Sequence, residues 1–167
     1  MVFSKSFSYS VRGILFLAIK QEGKKYIQAE EIANALGIPR HFMGKILKGL
    51  AKEGILKSNK GPSGGFALHE HTLSVPLLRL VLVTKGLPDL NKCALQMKEC
   101  NKSNPCAIHD RVSAIRNEMI QMLSGVKAAD LLSKGEENLI RMISSPEKNT
   151  KDNIDFISAE QSVSLTL

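Results

Sequence analysis

Tryptophan is absent from this 167-residue chain and tyrosine occurs only twice. A helix lying on an anionic membrane needs bulky apolar anchors opposite its basic face, so this scarcity argues against a membrane as target. Long apolar runs are missing too. The six residues Ile14-Leu15-Phe16-Leu17-Ala18-Ile19 are bracketed by Arg12 and Lys20, too short to cross a bilayer or to serve as a signal core. They read instead as the buried face of a first helix over residues 8–21. Cysteine is scarce and odd in number, at three, which argues against a disulfide framework and, with no export signal, for a reducing cytoplasm. No Ser-His-Asp, paired-carboxylate or Walker-type arrangement occurs, so enzymatic activity is not expected. Six methionines are scattered at core spacing and fill space rather than bind copper.

What is present begins with uneven charge. Residues 1–85 hold 13 Lys plus Arg against 5 Asp plus Glu, whereas residues 86–167 hold 10 against 11. The overall excess of +7 therefore lies in the first half, as it would if that half met a polyanion and the second half did something else. Residues 28–53 divide at Leu36-Gly37-Ile38-Pro39 into two helical stretches, with Gly placed to end one and Pro to start the next. That is helix-turn-helix spacing.

In the second stretch His41, Lys45, Lys48 and Lys52 recur at steps of four, three and four, and so share a face. Met43, Ile46, Leu47 and Leu50 take the opposite one. A basic stripe backed by an apolar stripe lets a helix sit on a core while offering cations to a phosphate-lined groove, although a solvated lysine face on an ordinary surface helix would look alike. The segment that follows favours the first reading. Lys60-Gly61-Pro62-Ser63-Gly64-Gly65-Phe66 cannot continue a helix and reads as a hairpin tip between strands at 55–59 and 65–68. Residues 73–85, helical after Pro76, would close a DNA-binding unit spanning 1–85.

Residues 86–106 form a polar loop that carries all three cysteines, and Pro105 is placed to open the next helix. Cys93, Cys100 and Cys106 are spaced with six and five intervening residues, and His109 lies three residues beyond the last. Three thiolates and an imidazole suit a cluster or a tetrahedral zinc ion, although the close Cys-x2-Cys knuckle common in structural zinc sites is absent. The helix N-terminus and Lys92, Lys98 and Lys102 would lower the thiol pKa values. In the helix over about 106–123, Ile108, Val112, Ile115, Met119 and Met122 alternate four- and three-residue steps. Such a seam serves dimerisation or packs inside the monomer; two recognition helices on a two-fold axis would match two half-sites on duplex DNA.

These motifs together resemble the Rrf-two family of bacterial winged-helix regulators, with its IscR-like, NsrR-like and CymR-like branches. The likeness runs from Met1 to about Lys134. It rests on Tyr9-Ser10-Val11-Arg12, Glu30-Glu31-Ile32-Ala33, Ile38-Pro39-Arg40-His41-Phe42, the stretch from Leu47 to Leu56, and the wing from Lys60 to Phe66. The resemblance implies a mainly α fold with a small β wing: a winged helix-turn-helix domain followed by a long dimerisation helix over 107–134. It implies a homodimeric repressor on a double-stranded operator, read by Arg40, His41, Lys45, Lys48 and Lys52 in the major groove. Lys60, Gly61, Pro62, Ser63 and Gly64 would reach the minor groove.

Members with three cysteines hold an iron-sulfur cluster. The IscR-like branch adds a His three residues after the third Cys, as at His109, whereas the NsrR-like branch takes an N-terminal acidic residue, and residues 2–10 contain none. The implied cofactor is a two-iron cluster on Cys93, Cys100, Cys106 and His109. Through it the regulator would sense redox state, nitric oxide or iron-sulfur status.

This chain departs from the family in having Lys60 where Arg is usual, Ser63 for Gly, Phe66 for Tyr, and one extra residue between Cys93 and Cys100. A weakly hydrated planar Arg suits a narrow minor groove better than Lys does. A cluster-free, CymR-like regulator answering to a protein partner, or a thiol switch, is the alternative. His69 and His71 flank Glu70 and read as surface polar residues rather than metal ligands. Short helices are expected over 126–133 and 136–143, and the extension from about residue 144 should be disordered or loosely packed.

Overall fold

The structure, a computed structural model, describes residues 3–21, 25–87, 93–132 and 136–144. Helix α1 (Lys5–Lys20) opens earlier than its apolar run suggests, because the Ser4 side chain accepts a hydrogen bond from Phe7 N at 3.2 Å. Such a cap satisfies a donor that the helix itself cannot pair. Ile14 and Leu17 on α1 are wholly buried. Helix α2 (Ala29–Leu36) ends on Gly37 at φ +64, and its N–H closes the last turn. A left-handed residue is cheapest as glycine, so the break expected from the sequence falls there. Helix α3 (Arg40–Lys52) starts one residue past Pro39, which serves as its cap.

Strands β1 (Leu56–Asn59) and β2 (Gly65–Leu68) pair antiparallel in the register Leu56↔Leu68 and Ser58↔Phe66. Ile27 adds a short third edge, exchanging hydrogen bonds of 2.8 and 2.9 Å with Phe66. Gly65, at φ +146, makes that approach feasible: a Cβ there would sit 2.3 Å from Ile27 O. Within the expected 73–85 segment, a turn of 3-10 helix at Thr72–Ser74 precedes helix α4 (Leu77–Thr84). Thr72 is buried with both hydroxyl roles used, donating to Ile55 O at 2.6 Å and accepting from His69 N at 2.7 Å.

Helix α5 (His109–Gly125) begins three residues later than expected, and Pro105 does not open it. Asn101 Oδ1 accepts from the backbone N–H groups of Ser103 and Asn104, and this knot keeps the preceding residues in a turn. At its far end the chain returns to α4, with Leu77 N donating to Val126 O at 2.9 Å and Ala128 N to Val75 O at 3.2 Å. The short helix expected over 126–133 is 3-10 at Ala128–Leu132. Helix α6 (Glu136–Ser144) buries Leu139 and Ile143 in the main core. Arg12 fastens it: the guanidinium donates to Ile143 O and to Leu36 O, each at 2.6 Å, joining the last turns of α6 and α2. Residues 145–167, where a loosely packed extension is expected, lie outside the described residues.

Candidate nucleic-acid interface and thiol centre

Helix α3 divides as its periodicity dictates. Met43, Leu47 and Leu50 are wholly buried against the core, Ile46 is half-buried, and His41, Lys45, Lys48 and Lys52 are exposed on the outside. Each fully buried aliphatic side chain contributes about 1.5–3 kcal/mol, so the apolar stripe anchors the helix and leaves its cations to solvent. Arg40 is exposed as well, but its guanidinium pairs with Glu30 on α2 at 3.1 Å. Arg40, His41, Lys45 and Lys48 face one open groove of about 750 Å³.

The wing is tied to the start of α2, whose Ala29 lines this groove. Lys60, Gly61, Pro62 and Ser63 are exposed at its tip, whereas Gly64 is buried beneath it. A Cβ at Gly64 would meet Asn59 O at 2.4 Å, so that glycine shapes the turn. Gln28 Nε2 donates to Pro62 O at 2.8 Å and ties the wing tip to the start of α2. Sequence reasoning passed over Gln28 and Glu30 because a polar residue opening a helix carries no mark of its long-range partner. His69 and His71 stack with ring centroids 4.9 Å apart, and a His71 ring nitrogen lies 3.0 Å from Gly54 O.

Across the molecule, the Sγ atoms of Cys93, Cys100 and Cys106 lie within 4.8 Å of one another, all half-buried. His109 Nδ1 is 3.3 Å from Cys100 Sγ. The loop reaches this arrangement through a turn closed by Gln96 N to Cys93 O at 2.9 Å, with Gln96 at φ +56, and through the Asn101 knot. His109 N donates to Cys106 O at 2.9 Å, a backbone turn that leads from the last cysteine into α5. The four residues border a cavity of about 420 Å³ that Val112 and Ile120 also line.

The thiols are not equivalent. The backbone N–H of Met97 first and that of Leu95 after it, against the opposing effect of partial burial, hold the Cys93 thiol below its ordinary pKa. Cys100 is also favoured as thiolate by the Cys106 backbone, yet burial and the neighbouring Cys106 and Cys93 sulfurs together push it up. The expectation of lowered thiols is therefore corrected at Cys100, where burial and the other two sulfurs outweigh the Cys106 backbone, whereas the lowering at Cys93 comes from backbone amides and then sulfur neighbours. Lys92 lies outside the described residues. As a donor set, three sulfurs and one imidazole match a soft metal or an iron-sulfur unit. Two sulfurs on one ion, each at about 2.3 Å, lie under about 4.6 Å apart, close to the spacing already present.

Residues 3–134 match the Rrf2 family, described as an iron-dependent transcriptional regulator. This chain belongs to the Rrf2 family. It is similar to a putative HTH-type transcriptional regulator of Aquifex aeolicus, 27% identical over 141 residues, which cover 83% of this chain and 96% of that protein. The NsrR regulator of Geobacillus kaustophilus is 27% identical over 125 residues, 74% of this chain and 84% of that one. Among solved structures, CymR of B. subtilis, described as the global cysteine regulator, superposes with a TM-score of 0.65 at 19% identity, over 81% of this chain and 98% of that one. The winged-helix fold is thus that of this Rrf2 chain, and its kinship is with transcriptional regulators that bind DNA, not with enzymes. No helix of the described residues is long and apolar enough to cross a membrane.

Proposed function

We propose that this Rrf2 protein is a homodimeric repressor whose affinity for its operator is set by an iron-sulfur cluster on Cys93, Cys100, Cys106 and His109. The observation that carries this reading is the convergence of the three sulfurs within 4.8 Å, with an imidazole 3.3 Å from one of them. Such a cluster supplies a centre that redox change, nitric oxide or iron supply can alter. The chain's own residues link that centre to DNA. His109 and Cys106 stand at one end of α5, and the other end buries Leu123 and is hydrogen-bonded through Val126 to the start of α4. α4 packs in turn on α1 and α3, so a shift at the thiol end has a continuous packed route to the recognition helix.

DNA recognition follows from the two exposed elements. Arg40, His41, Lys45, Lys48 and Lys52 enter the major groove on α3, and Lys60 to Ser63 reach the flanking minor groove. Dimerisation uses α5, where Ile108, Ile115 and Met122, spaced by seven, are 38%, 59% and 52% exposed. A stripe that the monomer leaves bare is what a second α5 would cover.

The deciding experiment measures iron, acid-labile sulfide and zinc per chain after anaerobic purification, with visible absorption, for wild type and Cys106→Ser. Iron with sulfide in the wild type, lost in the variant, is the expected result. Zinc alone would replace the cluster by a structural ion. Absence of both metals, even after reconstitution, would turn the reading to a cluster-free regulator governed by a protein partner or by thiol oxidation.

A further inference from the structure

The centre of the recognition-helix face has no side chain. Gly44 lies mid-way along α3, where glycine is disfavoured relative to alanine because it has more backbone freedom to lose on folding. Crowding within the fold often accounts for a helical glycine. Gly13 on α1 at least faces packed neighbours, since a Cβ there would make ordinary contact with Leu47 at 3.4 Å and the Met43 sulfur at 3.5 Å. At Gly44 no atom of the described residues lies within 4 Å of an added Cβ. Nothing in that part of the chain requires the position to be bare.

Its surroundings supply a reason outside the chain. Gly44 and Ala29 line the open groove of about 750 Å³ whose other walls are Arg40, His41, Lys45 and Lys48. The rim is cationic and these two lining residues carry at most a methyl group. Cations at a rim attract phosphates, and a helix without a Cβ at the contact lets a base edge come closer to its backbone. We propose that Gly44 determines specificity: its missing side chain admits a base-pair edge, best a thymine 5-methyl group, against the backbone of α3. This rests on the reading of α3 as the helix that enters the major groove.

Gly49 provides the internal control. It lies on the same helix and is also free of described atoms within 4 Å of an added Cβ. It borders a different hollow, walled in part by Tyr9, Phe42, Ile46 and Val83. The full-length wild-type chain is used to select duplexes from a random library. The selected duplex is then titrated with Gly44→Ala, Gly49→Ala and Lys48→Ala, and thermal stability is measured for each.

Both alanine replacements of glycine should raise the melting temperature. Gly44→Ala should lose about tenfold or more in affinity and flatten the preference at one base pair, while Gly49→Ala stays within about twofold. Wild-type affinity and base preference in Gly44→Ala would overturn the proposal. So would an equal loss in Gly49→Ala, or a lowered melting temperature in Gly44→Ala, which would reveal an internal reason for the glycine. Lys48→Ala separates the two levels of argument. If it weakens binding and Gly44→Ala does not, the role of Gly44 alone fails; if Lys48→Ala binds like wild type, the docking of α3 fails and takes this proposal with it.

Discussion

Helices α3 and α5 are both amphipathic, of 13 and 17 residues, yet the chain treats them differently. α3 has its apolar stripe covered by the rest of the chain, with Met43, Leu47 and Leu50 wholly buried. α5 buries only Leu123, near its C-terminal end, and leaves Ile115 and Met122 more than half exposed. Helix α3 is therefore finished within one chain, and apart from Phe42 what it offers outward is mainly charge. Helix α5, which follows the thiol-bearing loop, is unfinished and offers apolar surface. Charge turned outward suits a polyanion, whereas a bare apolar stripe suits a second protein surface.

The sharpest way to break this contrast is through the two apolar stripes. Leu47→Ala should lower the unfolding free energy by about 2–5 kcal/mol in urea titrations, since it opens a cavity in a filled core. Ile115→Ala should cost under about 0.5 kcal/mol in a monomer, as surface substitutions do. Equal losses would mean that α5 is as deeply packed as α3. Ile115→Glu tests the stripe as an interface: sedimentation velocity should show dimer association weakened by about thirtyfold or more, with the helix content retained. Wild-type sedimentation across a dilution series would remove α5 from the dimer contact.

The charged side of the comparison is probed by salt. Lys45→Ala and Lys60→Ala should each weaken operator binding and flatten the slope of log affinity against log salt by about one. An unaltered slope in both would mean that neither cation meets phosphate. The smallest effect is expected between these regions, at the exposed Arg79–Glu53 pair of 2.9 Å that links α4 to the end of α3. Glu53→Gln should change stability by less than about 1 kcal/mol, and less still in high salt; a larger loss would show that the pair holds α3 in place.

Much of the recognition half was legible because its signals are local. The stripes on α3 follow from a 3.6-residue period, the break at Gly37 from one left-handed residue, and the wing from Gly-Pro-Ser-Gly-Gly. The start of α5 was misplaced because Pro105 is a general helix-start signal, and the competing knot at Asn101 depends on side-chain to backbone bonds that composition does not display. At the thiol centre the four candidate residues could be named from spacing and resemblance. The opposite shifts at Cys93 and Cys100 could not, since the rise at Cys100 comes from burial and from sulfurs six and seven residues away in sequence brought close.

Local pattern and composition alone determined which faces are apolar, where the chain turns, that the first half carries the positive charge, and that the cysteines are too few for a disulfide framework. Periodicity and turn chemistry are short-range properties that each segment carries with it. Only the tertiary structure decided that the three sulfurs meet with His109 against Cys100, that Arg12 joins the last turns of α2 and α6, that Glu30 holds Arg40, and that Gly44 lies open among cations. Each of these depends on how separate segments pack, and packing is settled by the shared core rather than by any segment's own pattern.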